Sequence, residues 1–285
     1  MNTRGRLWVL IGPPAIVLLA FFVLPMINMG SFSLRQGSFG AARQLWTIEH
    51  YRAFAANEAF QRLLLRSTWL ALATSLLTVI LAYPVAYHLA FKAGGRRMTL
   101  MMLLLVPAWT SFLLRILAWK LILGSEGLFS VALQALGLMQ EPRPILLYTP
   151  TAVVVALVYS WLPFVALPIF AALQRIDVRL LEAAADLGCP PWRAFVRVTL
   201  PLSVPGVAAG FFFVFIPTLG EWVTPALVGG ADGVMYGNII QDQFARALNW
   251  PMGSLMSLVM LAAMLGLLGL LVGLARLLRL DLEVV

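Results

Sequence analysis

A short polar segment interrupts a chain that is otherwise strongly apolar. Arg179, Glu182 and Asp186 are spaced by three and four residues, so they share one face of a helix. Ala183 and Ala184 lie between them and keep that helix thin. An acid and a base on one narrow face can dock onto the charged surface of a partner protein. The alternative interpretation is the solvated face of an ordinary loop.

The same segment predicts a helix, a sharp corner and a second helix. Gly188 suits the position just after a helix end, where φ is often positive. Pro190 and Pro191 forbid continuation of the first helix but can open the next one. The residues that follow are amphipathic, with Trp192 on one side and Arg193 on the other. We expect this second helix to lead directly into the next apolar stretch.

A second group of residues could bind an organic cation, because carboxylates and aromatic faces both attract positive charge. Glu221 and Trp222 form the best such pair, at the predicted outer end of the fifth apolar stretch, and Asp232 and Asp242 follow in the next outer loop. The alternative is that Glu221 ends a helix at the interface and that Trp222 belongs to the interfacial aromatic belt.

Three further residues lie nearer the middle of apolar stretches. Trp109 and Trp161 could offer cation-π contacts to a substrate, or they could be packed in the core. Arg115 would repel a cation that came near it, and it would favour an anionic or zwitterionic ligand there. We expect it instead to pair with an acid, to contact a partner subunit or to extend toward the membrane surface.

Several enzymatic chemistries are excluded by the residues available. His50 and His88 are the only histidines, and neither GxSxG nor HExxH occurs. Cys189 is the only cysteine, so there is no internal disulfide and no cysteine-based metal cluster. The only lysines, Lys92 and Lys120, lie outside any glycine-lysine-serine/threonine loop that could cradle a phosphate. The chain cannot be an ATPase of that type, and we expect no metal or cofactor on it.

The composition determines the fold class. Hydrophobic residues make up 61% of the 285 residues and charged residues only 11%, which leaves too few polar side chains to cover a water-soluble surface. A membrane-spanning helix needs about 20 mainly apolar residues. Six stretches qualify: 7–29, 69–91, 98–123, 146–173, 204–223 and 255–278. The sequence therefore predicts an all-α integral membrane protein with six transmembrane helices.

Basic residues indicate how these helices are oriented. If both termini lie inside, the cytoplasmic segments contain more arginine and lysine than the outer ones. Such an excess is the usual pattern in membrane proteins, so we expect both termini on the cytoplasmic side. Membrane topology therefore accounts for the net charge of +8, and we expect no nucleic-acid partner. We expect one permease-like domain over residues 1–285, with an interfacial helix in the outer loop 30–66 and the polar segment in the cytoplasmic loop 174–203. Prolines within several stretches predict kinks, which favour a transport protein over a simple membrane anchor.

The segment EAAADLGCPPWRAFVRVTLPLSVPG (182–206) resembles the EAA loop of binding-protein-dependent ABC importer permeases. In that family the loop is a coupling helix that docks in a cleft of the ATP-hydrolysing subunit and converts its closure into movement of the spans. The resemblance implies the type I importer permease fold. It also implies an ATPase-coupling role for the residues described above: Arg179, Glu182, Ala183, Ala184, Asp186, Gly188, Trp192 and Arg193.

The resemblance covers nearly the whole chain. Residues 107–119, 160–177, 219–230 and 249–257 are similar to the spermidine/putrescine branch of these permeases, whereas GLFS at 127–130 departs from its pattern. Polyamine import is therefore the function that the resemblance implies. A permease for another small solute, such as a different amine, an amino acid, a phosphonate or iron, is the alternative.

The resemblance also implies a set of partners. These are two ATP-binding subunits, a second homologous permease or a second copy of this chain, an extracytoplasmic substrate-binding protein and the bacterial inner membrane. ATP and Mg²⁺ would then bind to the partner ATPase. An ion-coupled secondary transporter is a less favoured alternative, because it should carry intramembrane acids, and only Glu221 lies within the six stretches, at an edge.

Overall fold

The computed structural model describes residues 3–37, 45–138 and 140–277. Helices dominate this part of the chain, and their bounds are α1 Thr3–Leu18, α2 Leu24–Ser33, α3 Glu49–Ala56, α4 Glu58–Phe91, α5 Arg97–Leu105, α6 Phe112–Leu123, α7 Leu128–Ala135, α8 Pro150–Gln174, α9 Val178–Asp186, α10 Pro191–Ala194, α11 Leu200–Leu219, α12 Tyr236–Ala245 and α13 Trp250–Leu277. Two short strands, β1 (Arg35–Gln36) and β2 (Leu45–Trp46), pair in antiparallel orientation.

Six helical segments are long and apolar enough to cross a membrane, which confirms the predicted fold class. They are Leu10–Ser33, Glu58–Phe91, Phe112–Ala135, Pro150–Gln174, Pro191–Leu219 and Trp250–Gly273. A π-helical turn at Leu19–Val23 joins α1 to α2 within the first of them. Three of the predicted stretches, however, differ from the observed helices.

The second helix begins earlier than predicted, and the outer loop is correspondingly shorter. The side-chain oxygen of Asn57 accepts a hydrogen bond from the backbone N–H of Ala59 (3.0 Å), so Asn57 caps the helix that begins at Glu58. Helix α4 then continues from Glu58 to Phe91 without a break. Residues 58–66 therefore do not form a separate helix, and the interfacial position expected for the loop 30–66 stays a prediction. Only α3 forms a separate short helix, and residues 38–44 lie outside the described part of the chain.

The third predicted stretch is interrupted in its middle. Helix α5 ends at Leu105, a 3-10 turn follows at Val106–Trp109, and Thr110 is extended with ψ of 153° before α6 begins at Phe112. Pro107 lies in the first turn of this 3-10 segment and has no N–H to donate to a helical hydrogen bond. Hydropathy alone does not reveal this break, because the residues on both sides of it are equally apolar.

The fifth helix is displaced relative to its predicted bounds of 204–223. It begins at Pro191 and runs through α10, a π-helical turn at Phe195–Thr199 and α11 without interruption. It ends at Leu219, and Gly220 and Glu221 lie beyond it. The amphipathic second helix of the polar segment and the fifth span are thus one helix.

The chain divides into two compact units, one comprising residues 1–62 and 239–263 and the other residues 63–238 and 264–285. In the first unit the hydroxyl groups of Ser33 and Tyr51 lie 2.8 Å apart, and Trp250 packs against Phe32 and Phe244 at ring-centroid distances of 6.3 and 5.5 Å. The single permease domain expected over 1–285 stays a prediction.

The core of the second unit forms where α8 and α11 lie close together. A Cβ atom added to Gly206 would lie 2.5 Å from the Cβ of Ala172 and 2.5 Å from the carbonyl oxygen of Pro168, so only glycine permits this distance between the helices. Gly210, four residues later, also lies close to α8, because a Cβ there would be 2.9 Å from the Val165 side chain. This contact explains the small-x-x-x-small spacing in α11.

An arginine fixes the corner between α4 and α5. The guanidinium group of Arg97 donates hydrogen bonds to the carbonyl oxygens of Leu89 (3.0 Å) and Ala90 (2.9 Å). Both lie in the last turn of α4, where carbonyl groups lack intrahelical partners. A cation at a helix C-terminus also interacts favourably with the helix dipole. The C-terminal end of α4 is therefore joined to the start of α5.

Candidate functional site

The polar segment forms a helix with defined ends. At the N-terminus of α9, the Asp177 carboxylate accepts the backbone N–H of Arg179 (3.0 Å). At the C-terminus, Gly188 has φ of +73° and donates to the carbonyl of Ala185 (2.8 Å), while Cys189 donates to that of Ala184 (2.9 Å). These two bonds form a Schellman motif, which confirms the predicted corner and its dependence on glycine.

Two prolines begin the next helix, as predicted. Pro190 is extended with ψ of 152°, and Pro191 occupies the first position of α10, where a missing N–H has no cost. Because α10 continues into α11, the corner is joined to the fifth span by continuous helical backbone. We call residues 178–199 the elbow.

The elbow presents most of the predicted contact residues to solvent. Arg179, Glu182, Ala183, Asp186, Gly188, Trp192 and Arg193 are exposed, and Ala184 is half-buried. The side chains of Glu182 and Asp186 form no hydrogen bond or ion pair with any residue that the structure describes. The Nε atom of Arg179 lies 3.7 Å from Asp177, an ion pair that contributes little because both groups are solvated.

Large apolar side chains accompany these charges. Leu187 is 88% exposed and Trp192 is 64% exposed, and the guanidinium carbon of Arg193 lies 5.1 Å from the Trp192 ring. Exposed apolar side chains surrounded by charged ones are typical of a protein-protein contact surface, in which aromatic and arginine residues contribute most of the binding energy. The geometry of the elbow therefore suits docking of a soluble partner.

The elbow also contacts α4. The ring of Phe195 packs edge-on against Tyr83 and Tyr87, with centroid distances of 5.7 and 5.9 Å, and the hydroxyl groups of Tyr83 and Ser203 lie 2.9 Å apart. Sequence patterns alone do not single out these residues. The one available signal is the spacing of the two tyrosines, one helical turn apart next to Pro84.

A cavity of about 670 Å³ lies behind the elbow, between the end of α8 and the first half of α11. Its lining is mostly apolar and includes Ile176, Leu180, Leu202 and Pro205. The cavity adjoins Leu180 of α9 on one side and Leu202 and Pro205 of α11 on the other.

Glu221 caps a short helical segment. One of its carboxylate oxygens accepts the backbone N–H groups of Val223 (2.9 Å) and Thr224 (3.0 Å). The π-helical turn Pro225–Gly229 follows directly. The expectation that Glu221 ends the fifth helix is wrong, because that helix ends at Leu219 and Glu221 instead caps the segment that follows. A role for its charge in the transport path stays a prediction.

The backbone around Glu221 is tightly packed. A Cβ atom on Gly237 would lie 2.6 Å from the carbonyl oxygen of Gly220, and Asn238 donates to the carbonyl of Trp222 (2.7 Å). The neighbouring Tyr236 is fully buried and donates its backbone N–H to Ser67 (2.7 Å). Burial raises the pKa of the Tyr236 phenol, so this group stays neutral at physiological pH.

The two aspartates predicted for the path are not equivalent. Asp232 is exposed in the turn before α12. Asp242 lies in α12 and forms an ion pair with Arg246, with 3.3 Å between the carboxylate oxygen and Nε. Asp242 belongs to the first unit, whereas Asp232 and Glu221 belong to the second.

The two tryptophans predicted at mid-membrane depth have different surroundings. Trp109 lies in the 3-10 turn between α5 and α6 and is 80% exposed, so the expectation of core packing is wrong for it within this chain. Trp161 is half-buried and packs edge-on against Phe164 and Phe213, each at 5.9 Å. Its packing interpretation is confirmed.

Arg115 connects two spans. Its Nη1 atom donates to the carbonyl oxygen of Ser160 in α8 (3.0 Å), and its guanidinium carbon lies 5.8 Å from the ring of Phe112. Within the described part of the chain Arg115 has no carboxylate partner, so pairing with an acid of this chain does not occur there. Nor do three or more His, Cys, Asp or Glu residues converge as a metal site among the described residues.

Comparison with known proteins identifies the family. The family model described as "Binding-protein-dependent transport system inner membrane component" matches residues 7–280. The chain is similar to the spermidine/putrescine transport system permease protein PotB of Escherichia coli (strain K12), with 35% identity over 244 residues, 85% of this chain and 88% of that protein. It is also similar to PotB of Haemophilus influenzae, with 36% identity over 247 residues and 84% of each chain.

A solved structure has the same fold. It is a bacterial alginate ABC transporter in complex with an alginate pentasaccharide-bound periplasmic protein. One of its chains matches this chain with a TM-score of 0.75 and 18% identity, and the match covers 96% of this chain and 95% of that one. The expected importer permease fold is therefore confirmed, as is the family resemblance of the EAA loop and its flanking spans. This chain belongs to the family of inner-membrane components of binding-protein-dependent transport systems.

Proposed function

We propose that this chain is a polyamine permease subunit, which forms part of the path for spermidine or putrescine in an ATP-driven importer. Its membership of the family makes it an inner-membrane transport subunit, not an enzyme. The two PotB relatives, which are more than a third identical to it, are permeases of spermidine/putrescine transport systems, and this similarity supports the choice of solute. Permeases for other small solutes are the alternative.

The observation that carries the coupling role is the continuity of the elbow with the fifth span. Helix α9 displays Glu182 and Asp186 to solvent on one side of the corner, and on the other side Pro191 begins a helix that reaches Leu219. A partner that displaces α9 must therefore also displace α11. The contacts of Phe195 with α4 transmit the same displacement to a second span.

The transport cycle then requires several partners. A binding protein outside the membrane delivers the solute, and two ATP-binding subunits close on each other inside. The elbow of this chain, together with that of a second homologous permease, converts this closure into alternating access. ATP and Mg²⁺ bind to the ATPase subunits, and this chain supplies no residue to their site.

The substrate path of this chain would use exposed aromatic and acidic groups. The ring of Trp109 is exposed in the 3-10 turn between α5 and α6, within the third apolar stretch of the sequence. Irregular backbone at membrane depth is tolerated only where it contacts protein or lines an aqueous cavity. Trp109 is therefore the strongest candidate for a cation-π contact with a polyamine. Glu221, Trp222 and Asp232 would act nearer the outer surface, as would Asp242. Trp161 would support the wall of the path.

Uptake into proteoliposomes tests this proposal. The full assembly is reconstituted with its binding protein, and radiolabelled spermidine uptake is measured with and without ATP inside. We expect uptake to require ATP and to be competed by putrescine. Uptake that persists without ATP while a proton gradient is present would favour a secondary transporter, and ATP-dependent uptake of a different solute alone would overturn the polyamine assignment.

A further inference from the structure

A groove of about 480 Å³ lies beside the inner end of α4, where α4 contacts the elbow. Its apolar part is formed by Ile80, Pro84 and Phe195, and its polar end by Tyr87, His88 and Lys92. No acidic side chain is among its lining residues in the described part of the chain. The groove therefore carries a positive charge at one end and apolar surface along the rest of its length.

The apolar surface continues along α4 beyond the groove. Leu76, Leu77, Ile80 and Leu81 are exposed by 52, 44, 62 and 49%. Their spacing places them on the same face of the helix as Pro84 and His88. At about 1.5 Å per residue, Leu77 lies about 16 Å along the axis from His88. This distance matches one leaflet of a bilayer, whose hydrocarbon core is about 30 Å thick in total.

We propose that this groove binds an anionic phospholipid, with its phosphate at Lys92 and its acyl chains along Ile80 and Leu77. Basic pockets at the cytoplasmic ends of transmembrane helices bind anionic headgroups through charge complementarity. An acidic protein segment could use only the polar end of the groove, whereas a phospholipid uses its full length. The lipid site rests on the proposed function for one point: coupling to an ATPase places the elbow, and with it this end of α4, on the cytoplasmic side.

The position of the groove would bring a bound lipid into contact with the elbow. Phe195, part of the elbow, and Tyr83 both line the groove, and the hydroxyl groups of Tyr83 and Ser203 of α11 lie 2.9 Å apart. A bound phospholipid would therefore lie against the joint between α4, the elbow and the fifth span.

Lipid retention measured on the intact assembly tests the site. The assembly is purified from nanodiscs of phosphatidylcholine that contain a minor fraction of phosphatidylglycerol, and bound lipid is quantified by native mass spectrometry. We expect phosphatidylglycerol to be retained preferentially.

Lys92→Gln should weaken the binding of phosphatidylglycerol about fivefold, since one basic residue near a membrane surface contributes about a factor of this size. Lys120→Gln removes the same charge outside the groove and should leave binding unchanged. Equal retention by the wild type and Lys92→Gln would overturn the lipid site.

A photo-crosslinker at position 80 distinguishes lipid from protein. Crosslinking to phospholipid supports the proposal, and crosslinking only to another subunit overturns it, because that subunit then occupies the groove. ATP-driven uptake is measured on the same samples. If phosphatidylglycerol is retained as expected but uptake does not require ATP, the proposed function fails and the lipid site does not.

Discussion

The phenol oxygen of Tyr83 in α4 lies 2.9 Å from the hydroxyl oxygen of Ser203 in α11, although 120 residues separate them in the chain. Ser203 is in the first turn of α11, directly after the π-helical turn of the elbow. The ring of Tyr83 also receives the edge of Phe195 at a centroid distance of 5.7 Å. Two spans are thereby joined at the point where the elbow enters the fifth one.

Removal of this hydroxyl should weaken coupling and leave the fold intact. Tyr83→Phe keeps the aromatic contact with Phe195 and eliminates one hydrogen bond between spans, which is worth about 0.6 kcal/mol in a membrane protein. We expect the assembly to hydrolyse ATP normally and to import less solute per ATP. The measurement is the ratio of solute taken up to phosphate released in proteoliposomes.

Tyr159→Phe is the matched control for this change. Tyr159 lies in α8, its side chain is 42% exposed, and its ring packs edge-on against Trp119 at 5.5 Å. The same atom is removed there, but the ring contact is kept. An equal fall in the ratio for both variants would show that the Tyr83 bond has no special part in coupling.

Charge reversal at Glu182 should uncouple transport from ATP hydrolysis. Glu182 is exposed and has no partner in the described part of the chain, so Glu182→Arg should not destabilise α9 but should repel a basic docking surface. We expect uptake to fall at least tenfold, since like charges brought together at an interface cost several kcal/mol. Membrane insertion, followed by expression level and protease protection, should not change.

Glu141→Arg provides a comparison for this reversal, because Glu141 is also exposed but lies in the loop between α7 and α8, on the predicted outer side. We expect normal uptake. Wild-type transport by Glu182→Arg would remove this residue from the docking surface.

Two substitutions separate the two roles of Glu221. Glu221→Gln keeps an oxygen that can accept the N–H groups of Val223 and Thr224, but it removes the charge. Glu221→Ala removes both the charge and the cap, which is worth about 1 kcal/mol. If the charge attracts the polyamine, both variants should raise the KM for spermidine. If uptake by Glu221→Gln equals that of the wild type and only Glu221→Ala is thermally unstable, Glu221 is a capping residue alone.

Replacement of the glycine at the closest helix contact should destabilise the protein. In Gly206→Ala the new Cβ would lie 2.5 Å from both Ala172 and Pro168, so α11 must move away from α8. Overpacking of this kind costs about 1–3 kcal/mol, and the Tm of the purified protein should fall by several degrees. Gly269→Ala adds the same methyl group to α13, where no described atom lies within 4 Å, and should leave the Tm unchanged or raise it.

The elbow could be predicted well from the sequence because its determinants are local. Gly188 has a positive φ, and Pro191 occupies the first position of a helix, where its missing N–H has no cost, so the determinants of the corner lie within a few residues of it. The helix bounds were less accurate, because hydropathy measures apolar content and not helical continuity. Asn57 caps the early start of α4, and the break before α6 lies at Thr110, which is extended after the 3-10 turn that contains Pro107. The hydrogen bond between Tyr83 and Ser203 depends on helix packing, which no local pattern encodes.

The length of the fifth helix has a mechanical consequence. From Pro191 to Leu219 it contains 29 residues, which at about 1.5 Å per residue makes a rod of about 43 Å. If the corner lies at the inner surface, as predicted, this rod reaches the opposite side of the bilayer. If its inner end is pushed so that it tilts by about 5°, its outer end sweeps about 4 Å by the geometry of a straight helix. This sweep is about one carbon-carbon contact distance, which is enough to separate two side chains that had sealed a passage. If the elbow docks on an ATPase as proposed, a small displacement at that end of the helix would open a gap at its other end.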